Sequence, residues 1–164
     1  MNLVQDIHND ENIVRILHRD WVVDGMIQLG AFTLRPKETY ISVNRPAVFS
    51  YPEDVATFVE SHSAYQHTGS TYQFAMLNVG DVRRIRLEHD DKPINIDVEV
   101  EPRSSRIASH AGIFTRVGSM NIKKGNSIPI EPLPLGISAD DVLMEVGWSL
   151  IDISTLREDC FKTE

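Results

Sequence analysis

From residue 94 to residue 100 the chain alternates without a break: Ile94, Ile96, Val98 and Val100 against Asn95, Asp97 and Glu99. Successive side chains of a β-strand point to opposite faces, so this segment is satisfied as a strand with one dry face and one wet face. A half-buried strand needs partners, because a lone hairpin is marginal in water. Other segments can provide them. Residues 39–43 (TYISV) are β-branched and aromatic, which predicts a strand. Residues 71–79 carry Tyr72, Phe74, Met76, Leu77 and Val79 and predict a buried strand, and residues 107–114 predict another. Residues 80–86 fit no single period.

Helical signals fall between these runs. Residues 10–18 predict a short helix, with Asp10 as cap and Ile13, Ile16 and Leu17 at helical spacing. Residues 50–62 predict a second. Ser50 and Glu53 form a capping box, Pro52 sits in the first turn, and Val55, Phe58 and Val59 make one apolar face. A third opens at Ser138, where Asp140 and Asp141 suit the positive helix end. Val142, Leu143 and Val146 make its inner face, and Trp148, Leu150, Ile151 and Ile153 add apolar mass. Asp24-Gly25 marks a turn. Residues 63–70 read as a polar loop, and the Gly-, Asn- and Pro-bearing residues 117–134 as an extended connection. With no regular βαβ alternation, the expected class is α+β: one compact domain with a mixed or antiparallel sheet and two to four helices. Residues 1–116 form its main body. Residues 117–164 supply the connection and a C-terminal helical extension packed on that body.

Size and charge narrow the function. A chain of 164 residues suits one domain. The net charge of -8 opposes phosphate backbones, so nucleic acid is a disfavoured partner. Arg83, Arg84 and Arg86 cluster, but Glu88, Asp90 and Asp91 follow at once. With Cys160 the sole cysteine, no internal disulfide forms, which suits a reducing compartment. Residues 1–11 carry three acids and do not read as a signal peptide, and no apolar run is long enough to span a bilayer. The expectation is a soluble, acidic, cytoplasmic protein.

Motifs with a built-in chemistry are missing. The chain has no GxxxxGK[ST], no GxGxxG and no GxSxG. His62 and His67 are spaced off one helical face, and His89, Asp90 and Asp91 point in different directions, so no metal site is expected. Two histidines remain. His18 closes the predicted first helix, where an imidazole can satisfy terminal carbonyls. His110 lies in an apolar run, where a hydrogen-bonded buried histidine is the plain reading. The functional reading puts both in one cleft with Arg35, Tyr40 and Ser42, binding a polar ligand.

The order His18, Trp21-Val22, Gly25, Ala31-Phe32, Pro36, Ile41-Ser42-Val43, Pro102 and His110-Ala111-Gly112-Ile113 resembles a group of small bacterial proteins of unassigned function. The likeness spans residues 13–114 and implies a compact domain without naming a reaction. A weaker likeness joins the order of elements to NAD-using ADP-ribosyltransferases. It implies that His18 and Ser42 bind ligand and that Glu99 or Glu101 stabilises a ribosyl cation.

Two functions are therefore expected. The first is a non-enzymatic interaction or regulatory module with a protein partner or a second copy of itself. The alternative is an NAD- or nucleotide-binding enzyme with a cleft near His18 and Ser42. No cofactor is named by the residues themselves.

Overall fold

The residues expected to open a helix instead form a strand, β1, at Asn12–Ile16. Both faces of β1 are buried. Ile13 and Leu17, just past its end, enter the main core, while Val14 and Ile16 point the other way and are also buried. A strand covered on both sides reads as a near-continuous apolar run, and its spacing imitates a helix. His18 therefore follows a strand and does not cap a helix.

The computed structural model describes residues 7–34, 38–48, 73–89, 92–100, 110–118, 120–122 and 139–157. The predicted helix at residues 50–62 and the loop at 63–70 lie outside them, as do Arg35 and most of the connection at 117–134. After β1 come the short strands β2 (Val22–Val23) and β3 (Met26–Ile27), then β4 (Tyr40–Asn44), β5 (Phe74–Asn78) and β6 (Leu87–His89). They are followed by β7 (Lys92–Val100), β8 (His110–Val117), β9 (Met120–Asn121) and β10 (Thr155–Arg157). Two α-helices, α1 (Val79–Arg83) and α2 (Ala139–Ile153), complete the described regular structure, together with single 3-10 turns such as Leu29–Phe32.

Among the described residues these strands build one eight-stranded sheet in the order β10-β5-β1-β4-β8-β7-β6, with β9 paired to β8. Every pairing in it is antiparallel. Strands β2 and β3 form a separate ribbon. Asp24 at φ 52° and Gly25 at φ 76° turn it, and positive φ at both turn residues matches the right-handed twist of the flanking strands. The ambiguous residues after β5 form α1, because the Asn78 side chain accepts from Asp81 N–H at 3.0 Å and caps it.

The alternation in the sequence sorts the sheet's faces. Ile41 and Val43 of β4, Ala75 and Leu77 of β5, Ile94, Ile96 and Val98 of β7, and Ala111, Ile113 and Val117 of β8 enter the core cluster. Val142, Leu143, Val146 and Leu150 of α2, with Ala31 and Phe32 of the 3-10 turn, join the same cluster. Each Val, Leu, Ile or Phe among them contributes about 1.5–3 kcal/mol of gross burial. The opposite face carries Phe74 and Phe114, both buried, and the half-buried Tyr40, Ser42 and His110. Among the described residues no helix is long and apolar enough to cross a membrane.

Candidate functional site

Pairing of β4 with β8 sets Ser42 opposite Gly112, Asn44 opposite His110 and Tyr40 opposite Phe114. Because Ile41, Val43, Ala111 and Ile113 go to the core, Tyr40, Ser42, Asn44, His110, Gly112 and Phe114 share the other face. Ser42 and His110 are diagonal neighbours there, and the imidazole is long enough to span the gap. Ser42 Oγ lies 2.6 Å from His110 Nε2. With the ring proton on Nδ1, the hydroxyl donates and Nε2 accepts.

Gly112 has no side chain to set against Ser42, and the ring of Tyr40 takes that space. It meets His110 edge-on at 6.4 Å between centroids and Phe114 at 5.2 Å. Beyond Phe114, Arg116 places its guanidinium 4.7 Å over the phenyl ring and donates to both carboxylate oxygens of Glu99. Arg116 Nε also donates to Asn121 Oδ1 at 2.8 Å. Hydrogen bonding to Glu99 raises the guanidinium pKa despite partial burial, so this residue is a fixed cation. Glu99 is correspondingly engaged, and Glu101 lies outside the described residues.

The backbone beneath Ser42 is held from the other side. The pairing of β1 with β4 sets only Val14 opposite Asn44. Next along β1, Arg15 Nη1 donates to the Ser42 carbonyl at 2.7 Å, and its Nε donates to the Ala31 carbonyl. The same guanidinium lies 5.0 Å over Trp21. At the end of β4, Arg45 grips Glu11 with two bonds, Nε to Oε1 at 2.9 Å and Nη2 to Oε2 at 2.8 Å. Burial raises the Glu11 pKa, but the Arg45 bonds and charge and the His8 N–H outweigh it, so the carboxyl is held below the usual range.

Of the five candidates from the sequence, the fold brings Tyr40, Ser42 and His110 together. His18 lies beside Trp21, 5.9 Å between ring centroids, with Asp20 N–H donating to its Nδ1 at 3.2 Å. Arg35 lies outside the described residues. Arg15 and Arg116 were not singled out by sequence reasoning, and Gly112 entered it only within the His110-Ala111-Gly112-Ile113 motif, not as a site residue. The physical signal for Gly112 was a glycine interrupting an apolar strand, which often marks close approach.

A second region stands out on α2. Trp148, part of the apolar mass of this segment, is 52% exposed, and Met144 one turn earlier is 48% exposed. The helix carries Asp140, Asp141, Glu145 and Asp152 and no basic residue. Beside Met144 runs a groove of about 250 Å³, floored by Leu29, Leu34 and Leu143 and rimmed by Asp140 and Asp141.

Among the described residues no group of three or more His, Cys, Asp or Glu is arranged to hold a metal ion. Comparison with protein-family models, curated proteins and solved structures finds no match for this chain.

Proposed function

We propose that this protein is an interaction module whose outer α2 face receives a basic, amphipathic segment of another protein. The observation that carries the reading is the exposure of Trp148 and Met144, side by side, on a helix whose ionisable residues are all acidic. Large apolar side chains on an amphipathic helix normally face inward, as Val142, Val146 and Leu150 do here. Tryptophan and methionine are enriched at protein interfaces, and tryptophan is a frequent hot spot. The adjoining groove suits a lysine or arginine, whose stem packs on Leu29 and Leu143 while its charged end meets the acidic rim. The net charge of -8 draws such a partner in.

The test is a fluorescence titration of Trp148 in a Trp21→Phe background. Two amphipathic peptides of equal length are compared, one built of Leu and Lys, the other of Leu and Glu. The Leu/Lys peptide gives a saturable blue shift that weakens with salt and is lost in Met144→Asp. Equal responses to both peptides, or none to either, overturn the reading.

A further inference from the structure

We propose that Ser42 and His110 are a nucleophile–base pair able to take an acyl or phosphonyl group from an activated ester. The inference is independent of the α2 face. Four observations converge on it. Ser42 Oγ is already 2.6 Å from His110 Nε2, the distance at which an imidazole can remove a hydroxyl proton. Both residues are half-buried, which partly shields the pair from water while leaving it reachable. The Ser42 backbone is fixed from two sides, by Arg15 on its carbonyl and by the pairing of β4 with β8, so the hydroxyl is pre-positioned. Tyr40, packed against Phe114 and edge-on to His110, supplies an aromatic wall for the ester's organic part.

The balanced step is a substitution. The Ser42 Oγ–H bond breaks as Oγ bonds to the carbonyl carbon or phosphorus of the ester, and the proton passes to His110 Nε2. The leaving group departs with the electron pair of its own bond, as phenolate or fluoride. His110 gives that proton to the departed phenolate or to solvent. It then takes a proton from water as the water attacks the acyl-serine and returns it to Ser42 Oγ as the acyl–oxygen bond breaks, which releases the acid and restores the hydroxyl. No oxidant, reductant or metal enters. The substrate class is a small ester with a good leaving group, aryl in preference to alkyl because of the Tyr40 wall.

The full chain is incubated with a fluorophosphonate probe, and the adduct is located by peptide mass spectrometry; p-nitrophenyl acetate turnover is followed in parallel. The expected result is one adduct, on Ser42, with nitrophenolate release above the Ser42→Ala background. His110→Gln slows labelling by about 100-fold or more, the usual contribution of a general base. Mapping the wild-type adduct needs no variant, so a misfolded substitution does not blunt the test. No adduct, an adduct confined to other residues, or a Ser42 adduct formed equally fast in a folded His110→Gln protein overturns the proposal.

Discussion

Tyr40 and Gly112 fit so closely that a methyl group on Gly112 would lie 2.5 Å from Tyr40 Cδ2 and 3.0 Å from its Cβ. The second distance is the telling one. A Cβ is fixed to the backbone, so rotating the ring about χ1 does not relieve the contact. Gly112→Ala is therefore expected to cost about 1–3 kcal/mol through overpacking. Urea unfolding measures this, and Tyr40→Ser in the Gly112→Ala background recovers part of the loss. An unchanged urea midpoint in Gly112→Ala contradicts the described packing.

The Glu11–Arg45 pair makes stability depend on pH in a defined direction. The Glu11 carboxyl has a lowered pKa in the folded protein. Its contribution is complete above the unfolded glutamate value of about 4.3 and disappears as pH falls through the lower folded value. Replacing Glu11 by Leu takes two charge-assisted bonds from a guanidinium whose side chain is only 4% exposed, at a cost of about 3–5 kcal/mol. The Glu11→Leu/Arg45→Leu double variant recovers most of it and loses the acid-side dependence. A double variant as unstable as the sum of the singles speaks against the pair.

Arg83 protects an edge. Among the described residues strand β6 pairs only with the first residues of β7, and past Ile94 the Arg83 guanidinium takes over. It bonds Asp97 Oδ1 at 2.7 Å, the Val98 carbonyl at 2.9 Å and the Ile7 carbonyl at 2.9 Å. The Val98 N–H turns to Asp97 Oδ1 at 2.7 Å. Both groups that Val98 would offer a foreign strand are thus occupied. Arg83→Ala is expected to lose about 1.5–3 kcal/mol, a typical value for hydrogen bonds to a charged group. It also introduces concentration-dependent association, seen by light scattering. A variant as monodisperse as the parent removes the protective role.

Local chemistry was legible where one face of an element is wet. The alternation at 94–100, the Asp24-Gly25 turn and the inner face of α2 all follow from periodicity and turn residues. Strand β1 was misread because Val14 and Ile16 are buried as well as Ile13 and Leu17. Alternation vanishes there, and the polar break at Arg15 fits a helix equally well. The exposure of Trp148 was not legible for a related reason. Hydrophobicity alone does not distinguish a residue held by its own fold from one that the fold leaves outside.

The meeting of Ser42 and His110 could not be read locally. They are 68 positions apart, and their contact depends on which strands pair and in what register. A slip of one residue would send Ser42 into the core. Each residue was visible as a candidate; their common face became visible only with the pairing.

The strand order also fixes a timetable. Strand β1 lies between β4 and β5, β8 bridges β4 and β7, and β10 attaches to β5, so several seams of the sheet join stretches made far apart during synthesis. Each seam closes a long loop before its contacts compensate for the lost chain entropy. A topology of this kind has high contact order and folds slowly, over milliseconds to seconds. Until β8 has left the ribosome, β4 lacks one of its two neighbours, and Tyr40 to Asn44 wait as an uncovered apolar edge. The emerging chain is thus most exposed to self-association and to chaperone capture in the interval between its first strands and its last.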